Sequence, residues 1–171
     1  MKAALLLLTA TGLIGLAIYY FRPHQPLDPD KTITSIVVLK SARKMQVFSG
    51  DELLKTYTIA LGREPVGKKE YEGDKKTPEG IYTIDDKNPN SGYHRNLGVS
   101  YPQAEDRKHA ESLGKSPGGL IKIHGLRNGM GAIGRFHRWQ DWTMGCIAVT
   151  NEEVEELFEL VPIGTPIDIR P

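Results

Sequence analysis

Eight short runs rich in branched and aromatic residues, set apart by Gly, Pro, Asp, Asn and Ser, fill residues 33–170 and limit what this chain can fold into. Side chains branched at Cβ fit a pleated surface better than a helix, and runs this short suit strands joined by tight turns. The first three, at 33–40, 44–50 and 53–62, read as a meander turned by Ser-Ala-Arg and Ser-Gly-Asp-Glu, with Val47, Phe48 and the alternating Tyr57, Ile59 and Leu61 supplying apolar faces. The others lie at 80–84, 97–101, 120–124, 145–149 and 166–169, which together predict a mainly β fold. Two helices are expected. Residues 104–113 carry mixed charge and end at Gly114, as a surface helix would. The second follows Thr150, which forms a capping-box pattern with Glu153; Val154, Leu157, Phe158 and Val161 then keep helical spacing until Pro162.

Residues 3–21 carry no charge, with Lys2 before them and Arg22-Pro23-His24 after. Nineteen residues at about 1.5 Å rise reach about 28 Å, close to a bilayer core of about 30 Å and longer than the usual apolar stretch of a signal peptide. No small-x-small cleavage pattern follows, and Tyr19, Tyr20 and Phe21 suit a membrane interface. The expected organisation is a signal-anchor or transmembrane helix at 1–21, a Pro-rich linker at 22–32 and one folded domain at 33–171. Either way, anchored or secreted after cleavage, the rest of the chain would be exported. Lys2 is the sole charge in the first 21 residues, so the rest carries 21 basic and 21 acidic residues. This balance argues against a nucleic-acid partner. The charged stretch at 62–76 reads as a solvated hairpin or loop.

The one cysteine, Cys146, rules out an internal disulfide and a thiolate zinc cage. Its neighbourhood is more informative. A run Leu-Ile-Lys-Ile-His-Gly ends at His124-Gly125, a Gly- and Arg-rich loop follows, and the chain returns through Trp142-Thr143-Met144-Gly145-Cys146-Ile147. A thiol attacks as its thiolate, which is scarce at neutral pH, and an adjacent imidazole is the usual activator. Gly145 lets a carbonyl approach the backbone, and N–H groups near Gly145 and Cys146 could receive an oxyanion. Bland alternatives stand beside this reading. A Cys in a strand is most often a small buried hydrophobe, and a His at a strand end is often structural. Zinc held by His124, His137 and Cys146 would need spacings of twelve and eight intervening residues, which match no common zinc site.

The pairing of Ile123-His124-Gly125 with Thr143-Met144-Gly145-Cys146-Ile147 resembles the signature of the L,D-transpeptidase catalytic domain, the YkuD family. Asp74-Lys75-Lys76-Thr77-Pro78-Glu79-Gly80 is similar to that family's upstream turn, and Val161-Pro162-Ile163-Gly164-Thr165-Pro166 to its closing segment. The resemblance implies a β-sandwich-like catalytic fold and a cysteine acyltransferase acting on peptidoglycan stem peptides, with no metal or organic cofactor, anchored at the inner membrane with its domain in the periplasm or cell-wall space, or else secreted to the periplasm. Cys146 would be the nucleophile and His124 the base, with Gly145, Thr143 and Gly125 positioning the reaction, and carbapenem-type β-lactams would acylate Cys146. The acyl group would pass to an amine, giving 3→3 cross-links, protein attachment or D-amino-acid exchange, or to water, giving a hydrolase. A wall-binding module without catalysis is the remaining alternative. The chain departs from the family pattern at Met144, where many members have His, and at Ala148, where many have Arg. Arg127, Arg135 and Arg138 are candidate replacement cations for a substrate carboxylate. His137 is a second imidazole candidate, Trp139 and Trp142 could pack on substrate, and Tyr93, His94 and Asn96 could belong to a lid.

Overall fold

The computed structural model describes residues 2–171, with side chains from Leu8 onward. Its chain order is α1 (Lys2–Phe21), β1 (Ser35–Leu39), β2 (Lys44–Ser49), β3 (Glu52–Thr58), β4 (Gly80–Ser91), β5 (His94–Val99), α2 (Ala104–Ser112), β6 (Lys122–His124), a 3-10 segment (Gly131–Trp139), β7 (Ile147–Ala148), α3 (Asn151–Leu160) and β8 (Pro166–Arg170). The eight strands form one sheet in the order β3-β2-β1-β8-β4-β5-β6-β7. Its two ends meet. The chain beyond β3 bonds to the β7 strand through reciprocal Ala60–Ala148 hydrogen bonds of 3.0 and 2.8 Å, and Thr143 N–H donates to Leu61 O at 3.1 Å. The expected sandwich is therefore a single sheet curled until it closes. Asp141 secures the seam, accepting from Leu61 N–H at 2.9 Å and pairing with Arg43 at 2.8 Å.

Alternation in the sequence becomes alternation in burial. In β1 Ile36 and Val38 point inward, in β2 Met45 and Val47, and in β8 Ile167 and Ile169. Leu97, Ile123, Ile147 and the Val154–Leu157 stripe of α3 complete one core, so the expected docking of α3 on the sheet is seen. Its capping box is formed: Thr150 Oγ1 accepts from Glu153 N–H, and Glu153 Oε2 accepts from Thr150 N–H at 3.0 Å. The main departure is β4, which runs seven residues past the predicted Ile84 through Asp-Asp-Lys-Asn-Pro-Asn-Ser. Past Ile84, which still bonds to Thr165 and Gly164 just before β8, it pairs only with β5, and Pro89 is tolerated on that open edge.

The 62–76 stretch is not simply solvated. Lys40, 2% exposed, donates to the carbonyls of Gly67 and Thr77 and pairs with Glu79 at 2.8 Å, while buried Lys69 pairs with Asp74 at 2.7 Å. The loop is thus a folded support, and Thr77 Oγ1 accepts from Gly62 N–H at 3.2 Å.

Helix α1 coincides with the apolar segment expected at 3–21, although the side chains of residues 1–7 lie outside those described. Among the described residues no helix is long and apolar enough to cross a membrane. Its last turn packs on the 3-10 segment: Tyr20 stacks on Phe136 with ring centroids 5.2 Å apart and donates to Ala132 O at 2.6 Å, and Tyr19 meets Phe136 and Trp139. Tyr20→Ala should therefore raise amide exchange across 132–139 by about tenfold, with the global melting temperature little changed. Native-state hydrogen exchange checks this, and unchanged protection of that segment refutes the contact's role.

Candidate active site

Strands β6 and β7 run parallel, with Ile123 beside Ile147 and His124 beside Ala148. Extending this register by one residue sets Cys146 beside Lys122. Side chains alternate along a strand, so Cys146, Lys122 and His124 share one face, and all three line an open cleft of about 1000 Å³. The motif before Cys146 holds the turn in shape. Thr143 Oγ1 accepts from Gly145 N–H at 3.1 Å and donates to Cys146 O at 2.8 Å. Gly145 has φ +130°, and a Cβ there would lie 2.7 Å from Lys76 O, so only glycine fits against the support loop.

Thr143 thus holds the turn that carries Cys146. It also takes the Gly145 N–H that the sequence offered to an oxyanion, whereas the Cys146 N–H has no partner among the described residues. Gly125 acts through its carbonyl, which lies 2.7 Å from His124 Nδ1. A carbonyl only accepts, so the proton sits on Nδ1 and leaves Nε2 as the basic atom. His124 lies between Tyr93, 4.7 Å away by ring centroids, and Trp142, 5.6 Å away edge-on. Burial holds the His124 pKa below its ordinary value despite that bond. Burial also pushes the Cys146 thiol up, and the thiol sits 3.5 Å from Leu120 O as its donor. Leu120 has φ +57°, uncommon for a residue with a side chain, and this turn aims its carbonyl at the sulfur.

The proposed substrate cations sort differently from expectation. Arg135 donates to the carbonyls of Tyr19 and Pro23, each at 3.3 Å, and Arg138 pairs with Glu153 at 2.5 Å; both are engaged in holding the 3-10 segment. Arg63, Lys122 and Arg127 line the cleft instead. Sequence reasoning missed Arg63 and Lys122, although the Lys-x-His alternation in the β6 run already put Lys122 on the face of His124. Trp142 lines the cleft, while Trp139 packs on α1 outside it. Tyr93, His94 and Asn96 belong to the β4–β5 hairpin and β5 rather than a lid. Met144, in the place of the family's second His, is exposed at the rim. Among the described residues no group of His, Cys, Asp and Glu could hold a metal ion.

His137 is 6% exposed, and burial, aided by the Arg138 charge, pushes its pKa down to about 4. The unfolded chain binds this proton first as pH falls below about 6.5, so stability drains between pH 6.5 and 4 and is fully present above. His137 alone should make the fold about 3 kcal/mol weaker at pH 4 than at pH 7.5. Urea midpoints across that range test it, with His137→Phe flattening the acid slope.

The sequence model of the YkuD family, described as the L,D-transpeptidase catalytic domain, matches residues 33–169. YafK of Escherichia coli (strain K12) is 28% identical over 132 residues, covering 74% of this chain and 46% of YafK. YkuD of Bacillus licheniformis is 30% identical over 149 residues, covering 84% of this chain and 70% of its own. Both carry provisional L,D-transpeptidase names. Among solved structures, the helical cell shape determining protein Pgp2 from Campylobacter jejuni matches with a TM-score of 0.60 at 24% identity, over 82% of this chain and 48% of that one. Bd1075 from Bdellovibrio bacteriovorus matches with 0.57 at 22% identity, over 85% of this chain and 52% of that one. These two likenesses show a shared fold. The chain spans about half the length of YafK and Pgp2.

Proposed function

The chain belongs to the YkuD family of L,D-transpeptidase catalytic domains, and from that membership we propose that it is a peptidoglycan L,D-transpeptidase working through an acyl-enzyme on Cys146. The carrying observation is that Cys146 and His124 share one face of β6 and β7 on the cleft, with His124 Nε2 left basic by the Nδ1–Gly125 bond.

Both groups rest neutral. The thiol leaves Leu120 O, gives its proton to His124 Nε2, and the sulfur adds to the carbonyl of the third stem residue. The Cys146 N–H faces the oxygen on which charge develops. Collapse expels D-Ala, whose nitrogen takes the proton back from Nε2, and leaves a thioester. An incoming amine then gives up a proton to Nε2, attacks the thioester carbonyl and releases the thiol, which recovers that proton. Arg63, Arg127 and Lys122 supply positive charge for the stem carboxylates, a role Ala148 cannot fill.

Stem peptides lie outside the cytoplasmic membrane, so the reading puts the domain in the cell-wall space, held by the apolar segment or released from it. A part in cell shape accords with the name of Pgp2. Incubation with disaccharide-tetrapeptide and mass spectrometry should give loss of D-Ala and cross-linked dimers, with more product as amine rises. Hydrolysis exceeding transfer at every amine concentration would convert the reading to a hydrolase. Folded protein with no adduct and no turnover overturns both.

A further inference from the structure

Among the described residues, two buried polar atoms of side chains that line the cleft have no hydrogen-bond partner, Asn96 Oδ1 and His137 Nε2. Asn96 is 8% and His137 6% exposed, and both line the cleft. An unpaired buried donor or acceptor is costly, so native structures rarely keep one without a use.

The state of His137 follows from its neighbour. Trp142 Nε1–H can only donate, and it points at His137 Nδ1 from 3.5 Å. Nδ1 is therefore the acceptor, and the proton of the neutral ring sits on Nε2. Burial and the neighbouring Arg138 charge, opposed by Glu153, keep the ring uncharged at neutral pH. An uncharged donor thus lies just beneath the cleft wall, apart from the cations that suit carboxylates. Asn96 sits opposite His124 in the β5–β6 pairing, so its free acceptor lies beside the catalytic base.

We propose that His137 Nε2–H and Asn96 Oδ1 form a subsite for uncharged backbone amides of the acyl-donor peptide, His137 donating to a carbonyl oxygen and Asn96 accepting an N–H. This rests on the transpeptidase reading, and it separates recognition of the peptide backbone from recognition of its charged ends. Together the two groups fix the register of the stem, so that its third carbonyl stands at Cys146.

The test uses the full chain carrying Cys146→Ala, labelled with 15N-histidine and titrated with disaccharide-tetrapeptide. The His137 Nε2–H proton should move downfield and exchange more slowly, with the ring neutral before and after binding. Binding seen at His124 with His137 unchanged overturns the subsite but leaves the transpeptidase reading standing. Protonation of His137 on binding also overturns it, since that marks carboxylate recognition. Absence of binding at any resonance sinks the functional reading and the subsite together. In the active chain, His137→Phe and Asn96→Leu should each raise KM about three- to tenfold, and His137→Gln, which keeps an N–H donor, should restore it to within about threefold. Alkylation of Cys146 by iodoacetamide should keep its rate in all three. Unchanged KM in both His137→Phe and Asn96→Leu refutes the assignment.

Discussion

Cys146→Ala leaves a folded protein with turnover reduced by at least about 10⁴-fold, because no other side chain on the cleft can form the thioester. The fold should tolerate the change. The sulfur makes a long hydrogen bond to Leu120 O and one with the Lys122 backbone, whereas the turn is held by Thr143, Gly145 and the Cys146 backbone, none of which the substitution removes. Two measurements separate chemistry from folding. A carbapenem should add its mass to the unaltered chain and nothing to Cys146→Ala, and the two proteins should unfold at closely similar urea concentrations. Substrate affinity should survive, since the cations and the uncharged groups of the cleft are untouched. Retained turnover in Cys146→Ala, or carbapenem labelling elsewhere, removes the nucleophile assignment. A wall-binding module instead predicts that every phenotype survives the substitution.

The sequence made this site legible because its parts are local in the chain. His124-Gly125 ends one strand, Thr143-x-Gly145-Cys146 enters another, and the capping box at Thr150 and Glu153 starts α3 directly after it. The strands were legible by alternation, apart from the far half of β4. There Asp, Asn and Pro carry the signature of a loop, yet pairing with β5 and an open edge make a strand of them. Closure of the sheet was not legible, because Ala60 and Ala148 are 88 positions apart and nothing in either run marks the other. The arginines show the same limit. Composition gives Arg127, Arg135 and Arg138 equal standing, and only the partners Tyr19, Pro23 and Glu153 reveal that two of them hold structure.

His124→Gln should lower kcat/KM by about 10²- to 10⁴-fold at pH 7, and the size of the loss should depend on pH. Burial disfavours the charged form of both partners, lowering the His124 pKa and raising that of Cys146. The resting pair is therefore thiol and imidazole rather than thiolate and imidazolium. With His124 present, activity falls only when acid protonates Nε2, which happens below the ordinary imidazole value of about 6.5. The profile should then stay flat through neutral pH. Without His124 the thiol must lose its proton to solvent, so log kcat/KM should rise with unit slope from pH 6 toward the raised thiol pKa. The gap between the two proteins widens as pH falls through neutrality and narrows in alkali. Thiolate absorbance near 240 nm distinguishes the alternatives without substrate. A signal at pH 7 that disappears in both Cys146→Ala and His124→Gln would mark a preformed ion pair, and the general-base order of events derived from burial would have to be abandoned. No such signal, with the two pH profiles converging in alkali, leaves His124 Nε2 as the atom that takes the proton while the carbon–sulfur bond forms.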